Sequence, residues 1–231
     1  MEAIILAGGM GTRLKSVVKN MPKPMAPIRR TPFLEYILND LLNQGIKKVI
    51  LSTGYKHEVV KEHFGASYQG MEIEYSVEDV PLGTGGAIRK ALKQITQPEV
   101  FILNGDTMFR ANLPAMKEFH RAHQADLTLA LKNMNDCSRY GRVETKDFRV
   151  TQFKEKMAGQ PGLINGGVYL LSQHLFSGLE QLPEKFSFEK DFLEARHQNY
   201  NVMAYLSNTY FIDIGIPEDF SRAQQELPNL V

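Results

Sequence analysis

Cysteine is almost absent from this sequence of 231 residues, in which Cys137 is the single example. One cysteine cannot form an intramolecular disulfide or a cysteine-based metal cluster, and this scarcity is typical of a reducing compartment. Charge of one sign is lacking too, because 27 lysines and arginines face 26 aspartates and glutamates, for a net charge of +1. The balance gives no reason to expect nucleic acid or a membrane surface as a partner.

Long hydrophobic runs are also missing. The apolar run at residues 3–7 is far too short for a signal peptide or a membrane span, and no basic leader precedes it. We therefore expect a cytoplasmic protein. The chain is long enough to bury a sizeable core and fits a single α/β domain covering residues 1–231.

A glycine-rich stretch, LAGGMGTRL at residues 6–14, follows the first predicted strand. Its three glycines permit a tight turn whose successive N–H groups can point at one anion. The dinucleotide-binding fingerprint would need glycine at position 14 and the NTPase loop a Gly-Lys pair, and neither is present. Arg13 supplies instead a planar cation suited to bidentate phosphate contact. The stretch indicates a phosphate-binding loop, and the alternative is an ordinary turn with a surface arginine.

Predicted strands and helices alternate through the first half of the chain. Thr31 and Pro32 are expected to cap the first clear helix, and Gly45 to end it. A β-α-β-α-β order builds a right-handed parallel sheet that binds ligands beyond the carboxyl ends of its strands. The predicted strands are residues 3–7, 48–53, 71–77 and 99–103, and the predicted helices are residues 33–42, 57–64 and 87–94.

The second half of the chain is richer in strand signals. Alternating leucines at residues 127–131 and further short patterns at residues 143–153 predict strands. The apolar run at residues 162–171 is interrupted by Asn-Gly-Gly, which indicates a bulge or a close approach to a ligand. The expected fold class is α/β, with a Rossmann-like mixed, mostly parallel central sheet, helices on both faces and a smaller β-rich part.

Several polar residues could together serve phosphoryl or nucleotidyl transfer. Lys23 is held on a proline-stiffened segment, PKPMAP at residues 22–27. Asp106 and Asp213 each follow a predicted strand, and Mg²⁺ needs only one or two protein carboxylates because phosphates and water fill its other positions. A second glycine cluster, LGTGGA at residues 82–87, would let a flat ring approach the backbone. Each feature alone could also be a solvated lysine or a turn-capping aspartate.

These motifs occur in the order found in one known family. The sequence resembles the sugar-phosphate nucleotidyltransferases, or nucleoside-diphosphate-sugar pyrophosphorylases, over nearly its whole length. One departure is Ile216, where many relatives have threonine, and it removes a hydroxyl near the expected metal site. The motifs that carry the resemblance are GGMGTRL at 8–14, PKPM at 22–25, GTGG at 83–86, GD at 105–106, EK at 155–156, NGG at 165–167 and DIG at 213–215.

The resemblance implies a role for each matching residue. Arg13 and Lys23 would be catalytic, Arg13 at the departing pyrophosphate and Lys23 at the phosphates where attack occurs. Asp106 and Asp213 would hold Mg²⁺ as the cofactor. The residues expected to bind the nucleotide are Leu6, Ala7, Gly8, Gly9, Gly11, Thr12, Arg13, Gly83, Thr84 and Asp106. The residues expected to bind the sugar phosphate are Gly141, Glu155, Lys156 and Asn165, although Glu155 and Lys156 could also be a plain surface ion pair.

The resemblance also implies substrates and an organisation of the chain. The expected substrates are GTP and a manno-configured heptose 1-phosphate, and the products are GDP-heptose and pyrophosphate. Residues up to about 110 would bind the nucleotide and the remainder, to residue 231, the sugar phosphate. A homodimer is one possible assembly.

Two alternatives remain open at this point. Mannose 1-phosphate or another sugar 1-phosphate could be the acceptor. A non-catalytic regulatory subunit could bind nucleotide sugar on the same fold, but it would have no chemical need for both Asp106 and Asp213.

Overall fold

The computed structural model of the protein describes residues 1–9, 21–154 and 159–230. The helix expected from about residue 14 lies outside them. Among the described helices, none has the length and apolar character needed to cross a bilayer. A π-helix covers Phe188–Glu194 and a 3₁₀ turn covers Lys23–Met25. The α-helices of the described residues are α1 (Phe33–Asn43), α2 (His57–Phe64), α3 (Gly83–Leu92), α4 (Leu113–Ala122), α5 (Phe176–Glu180) and α6 (Pro217–Glu226).

The strands of the described residues fall into one large sheet and two small ones. In chain order they are β1 (Glu2–Leu6), β2 (Pro27–Ile28), β3 (Thr31–Pro32), β4 (Lys48–Thr53), β5 (Ser67–Tyr68), β6 (Met71–Val77), β7 (Glu99–Asn104), β8 (Thr107–Phe109), β9 (Leu127–Met134), β10 (Arg142–Lys146), β11 (Arg149–Lys154), β12 (Gly162–Ser172), β13 (Val202–Leu206) and β14 (Phe211–Asp213). The pairs β2–β3 and β8–β14 form the small sheets.

Within the described residues, ten strands form the large sheet in the order β10-β11-β13-β9-β12-β7-β1-β4-β6-β5. Strand β1 pairs in parallel with β4 and β7, and β4 pairs in parallel with β6. Strand β12 runs antiparallel to both β7 and β9, and so joins the second half of the chain to the same sheet. The expected mixed α/β sheet is confirmed. It is not mostly parallel, because four of the nine neighbouring strand pairs in the described part of this sheet are parallel and five are antiparallel. Apart from the β9–β13 pair, the parallel pairs lie in the first half of the chain.

Helices cover both faces of this sheet because successive residues of a strand point to opposite sides. In β1, Ala3 and Ile5 belong to a core that includes residues of α1, α2, α4 and α6. Ile4, between them, belongs to a second core with residues of α3 and α5. Burial on both faces fixes the position of the strand ends, where ligands of such sheets bind.

The local predictions succeed at strands and fail at one helix cap. Strands β4 and β6 and helix α2 begin and end where predicted. Gly45 follows α1 with a φ of 82°, as a C′ glycine should. The cap predicted for α1 is wrong, because Thr31 and Pro32 pair with β2 and no side-chain hydrogen bond caps the helix.

Candidate active site

A cavity of about 1310 Å³ opens at the carboxyl ends of the parallel strands. Leu6, the last residue of β1, lies opposite Ser52 of β4 and Asn104 of β7, so that the three strand ends meet. Ala7 is buried and donates its backbone N–H to the carbonyl of Ser52 at 2.7 Å. The predicted site residues in the cavity wall are Leu6, Gly8, Gly9, Lys23, Gly83, Thr84, Asp106, Asn165 and Asp213.

Asp106 and Asp213 are brought together by the small β8–β14 sheet. Thr107, which follows Asp106, lies opposite Asp213 in the antiparallel pairing. Lys23 Nζ lies 2.5 Å from Asp106 Oδ2 and 3.7 Å from Asp213 Oδ1. Lys23 lies on the 3₁₀ turn and is only 8% exposed. Its ammonium group is therefore held beside the two carboxylates. Ile216, the departure from the family pattern, also lies in the cavity wall.

The two carboxylates fit a divalent cation such as Mg²⁺. Burial raises the pKa of Asp213, and the negative charge of Asp106 raises it further, against the opposing charge of Lys23. Repulsion between two acids in a half-buried site is relieved by an added cation, and carboxylate oxygens are the ligands Mg²⁺ prefers. The described residues contain no group of three or more metal-ligating side chains, but two carboxylates suffice when phosphates complete the coordination.

The glycine cluster at the start of α3 is required partly by packing. Gly83 has a φ of 73°, and a Cβ there would lie 2.4 Å from the carbonyl oxygen of Phe186. A Cβ on Gly85 would lie 2.0 Å from the ring of Phe186. Helix α3 therefore begins at Gly83, earlier than the predicted residue 87. The glycines let the start of this helix pack closely against Phe186. Gly83 and Thr84 line the cavity, whereas Gly85 is needed for this contact.

Glu78 is a cavity residue that the sequence predictions missed. Its Oε2 accepts a hydrogen bond from the backbone N–H of Leu82 at 2.9 Å, and its Oε1 lies 3.4 Å from the hydroxyl of Ser52. A Cβ on Gly8 would meet Glu78 Oε1 at 2.9 Å, so glycine at position 8 makes room for this carboxylate. Glu78 directly follows β6, and the rule that drew attention to Asp106 at a strand end could have found it.

Two of the residues expected on the sugar side, Gly141 and Asn165, border a second cavity of about 230 Å³. Gly141 lines this smaller cavity, and Asn165 lines both cavities, so the two adjoin. Asn165 Nδ2 donates to the Tyr169 hydroxyl at 2.9 Å, and this hydroxyl lies 3.4 Å from Glu189 Oε1. Glu189 Oε2 accepts from the Thr84 hydroxyl at 2.6 Å. A chain of hydrogen bonds therefore joins the nucleotide-side glycine cluster to Asn165.

Glu189 was missed by sequence reasoning, and no local signal marks it. It lies on the π-helix Phe188–Glu194, which only tertiary packing brings to the cavity. Burial raises the pKa of Tyr169 well above its usual value, and the charge of Glu189 acts in the same direction. Tyr169 is therefore a neutral hydroxyl that can link the amide of Asn165 to this carboxylate.

Five predicted site residues lie outside the described residues. They are Gly11, Thr12, Arg13, Glu155 and Lys156. Their roles remain predictions from the resemblance.

A mixed α/β sheet with an acid pair, a buried lysine and a cavity at its strand ends fits the class of nucleotidyltransferases. Residues 2–229 match the family described as nucleotidyl transferase, and the chain belongs to this family. Members of the family generally use a divalent metal ion.

Individual relatives are similar over the full length. The chain is 54% identical, over 231 residues and 100% of both chains, to D-glycero-α-D-manno-heptose 1-phosphate guanylyltransferase of Aneurinibacillus thermoaerophilus. It is 50% identical to the protein of the same name from Campylobacter jejuni, over 95% of this chain and 97% of that one. A crystal structure of HddC from Yersinia pseudotuberculosis complexed with GMP-PN superimposes with a TM-score of 0.86 at 37% identity, covering 97% of this chain and 98% of that one.

Proposed function

We propose that this protein transfers GMP from GTP to D-glycero-α-D-manno-heptose 1-phosphate, releasing pyrophosphate and forming GDP-heptose. The observation that carries the proposal is the centre in which Lys23 contacts both Asp106 and Asp213, in a chain 54% identical to a guanylyltransferase of that specificity. An oxygen of the sugar phosphate attacks the α-phosphorus of GTP. As the new bond forms, the bond from that phosphorus to the pyrophosphate oxygen breaks.

The residues of the centre have complementary tasks in this proposal. Lys23 places a fixed positive charge where the phosphates meet, and such a charge stabilises the transition state more than the ground state. Asp106 and Asp213 would hold Mg²⁺, which when bound supplies positive charge that offsets the developing negative charge. Arg13 at the pyrophosphate and Lys156 at the sugar phosphate complete the set of cations.

The chain would be a single domain in which the first half binds nucleotide and the second half binds sugar phosphate. Leu6, Gly8, Gly9, Gly83 and Thr84 border the larger cavity and support the first assignment. Gly141 and Asn165 border the smaller cavity and support the second. The single cysteine supports a cytoplasmic location. A homodimer stays a prediction.

A substrate panel tests the function. The purified protein is incubated with Mg²⁺, each of GTP, ATP, CTP and dTTP, and either heptose 1-phosphate or mannose 1-phosphate, and pyrophosphate release is measured. We expect GTP with heptose 1-phosphate to give the highest kcat/KM. Mannose 1-phosphate should retain activity, because one hydroxymethyl group contributes only about 1 to 3 kcal/mol of discrimination. Equal rates with both sugars, or a preference for CTP or dTTP, would contradict the stated specificity.

Glu78 gives a second prediction, which concerns the base. A carboxylate only accepts hydrogen bonds, and guanine presents two adjacent N–H donors, at N1 and N2, where adenine presents a ring acceptor. Glu78→Gln keeps an acceptor for the Leu82 N–H but loses the charge. We expect the ratio of kcat/KM for GTP to that for ATP to fall about tenfold or more.

The matched control for Glu78→Gln is Glu72→Gln. Glu72 lies on the same strand β6, is exposed and lines neither cavity. The Glu72→Gln variant should leave the ratio of kcat/KM for GTP to kcat/KM for ATP unchanged. If the ratio is also unchanged in Glu78→Gln, this carboxylate does not read the base.

A further inference from the structure

Arg139 lies where the two cavities meet. Its side chain is 38% exposed and lines both the larger and the smaller cavity. Among the described residues that line the larger cavity it is the only arginine, and the lysines there, Lys23 and Lys190, do not line the smaller one. A substrate that extends from one cavity into the other therefore passes this guanidinium group.

The surroundings of Arg139 fix its orientation. Its Nη1 donates to Asp219 Oδ2, while its Nη2 lies 4.0 Å from Asp213 Oδ2. The Asp219 side chain is 10% exposed, lies in the first turn of α6 and also pairs with Arg222 at 3.1 Å. The guanidinium carbon lies 5.4 Å from the centroid of the Tyr140 ring. Ion pairs with Asp219 and Asp213 and one aromatic face thus hold a planar group that has five N–H donors in all.

Charge balance favours a cation at this point. A sugar 1-phosphate is an anion, and on its way to the nucleotide it must come close to the carboxylates of Asp106 and Asp213. Lys23 is already held between these two acids. Arg139 also lies near this acid pair, 4.0 Å from Asp213 Oδ2, and lines both cavities, whereas Arg142 and Lys154 line only the smaller one.

We propose that Arg139 binds the phosphate of the sugar 1-phosphate at the junction of the two cavities and aligns it for attack. This inference rests on the proposed function and adds to it a phosphate contact among the described residues. The sugar extends into the smaller cavity beside Gly141 and Asn165, and the nucleotide occupies the larger one. The attacking phosphate oxygen forms its bond to the α-phosphorus of GTP as the bond to pyrophosphate breaks. Arg139 keeps its protons throughout and acts by charge and by hydrogen bonding.

The test compares Arg139→Lys with Arg222→Lys. Lysine keeps the charge but loses the planar fork that matches a phosphate, so Arg139→Lys should raise KM for heptose 1-phosphate about tenfold or more. KM for GTP should stay within about twofold of wild type, because the substitution removes a contact to heptose 1-phosphate and not to GTP. Arg222 pairs with the same Asp219 but lines neither cavity, so Arg222→Lys should change neither KM. An equal rise in both variants, or a rise in KM for GTP alone, would overturn the proposal.

A second experiment uses the wild-type protein, so it tests the role of Arg139 even if the Arg139→Lys variant does not fold. Phenylglyoxal, which modifies accessible guanidinium groups, is applied with and without heptose 1-phosphate, and mass spectrometry follows Arg139 and Arg222. We expect heptose 1-phosphate, but not the unphosphorylated heptose, to slow the modification of Arg139, while the rate at Arg222 stays constant. Absence of protection at Arg139, or equal protection at both arginines, overturns the proposal.

The two proposals can fail separately. Wild-type protein that releases no pyrophosphate with any sugar 1-phosphate would refute the proposed function. Wild-type activity with heptose 1-phosphate, combined with an unchanged KM in Arg139→Lys, would refute only the role of Arg139.

Discussion

The variant Lys23→Met is expected to reduce turnover by about 10³-fold, because removal of one preorganised group that stabilises transition-state charge has costs of that order. Lys23 is buried, and its ammonium group contacts both Asp106 and Asp213. Water or a mobile side chain cannot replace a charge held in this way. The measurement is kcat at saturating GTP, heptose 1-phosphate and Mg²⁺, with thermal unfolding as a check on the fold.

Lys48→Met is the matched control. Lys48 is also largely shielded from solvent and pairs with Glu74 at 2.7 Å, but it lines neither cavity. Its loss should leave kcat near the wild-type value. A Lys23→Met variant that retains more than a tenth of wild-type turnover would place this lysine outside the chemistry.

The second large effect is expected for the acid pair. Asp106→Asn and Asp213→Asn should each lower turnover by orders of magnitude, because an amide is a weaker ligand than a carboxylate for a hard cation. Asp213 is also held by the Gly215 N–H at 2.8 Å, and an amide oxygen can still accept that bond. The fold should therefore survive the substitution. The activity is assayed across a range of Mg²⁺ concentrations.

A readout independent of activity distinguishes metal binding from other roles of these acids. A cation that binds only the folded state raises Tm, so Mg²⁺ should stabilise the wild type and stabilise both variants less. Asp40→Asn is the control, because Asp40 pairs with Arg110 at 3.0 Å and lines neither cavity. Near-normal turnover of Asp106→Asn at low Mg²⁺ would remove this residue from the metal site.

The features that could be predicted from the sequence are those with a local physical cause. β-branched runs form strands wherever a sheet can accept them, and β4 and β6 begin and end as predicted. Gly45 ends α1 because a positive φ favours glycine. The cap of α1 failed because Thr31 found a partner in β2, a contact that no local pattern encodes.

The site residues also fall into those that the sequence could predict and those that only the tertiary structure shows. Asp106 could be found from its position after a strand, but its distance to Asp213 depends on the pairing of β8 with β14. Glu189 reaches the cavities only through the packing of the π-helix, and its neighbours in sequence give no sign of this. Arg139 lies two residues before Gly141, which the resemblance assigns to the sugar side, but only the structure shows its ion pair with Asp219 and its place in the wall of both cavities.

The sequence by itself indicated the reaction class, because its glycines, Lys23 and two strand-end acids suit phosphate chemistry and occur in the order found in the family that the chain resembles. Only the tertiary structure decided how these groups meet. Register in the parallel sheet sets the strand ends side by side, and the antiparallel strand β12 places Asn165 in the wall of both cavities. Contacts between residues far apart in sequence arise from the burial of both sheet faces at once, which is a property of the whole chain rather than of any segment.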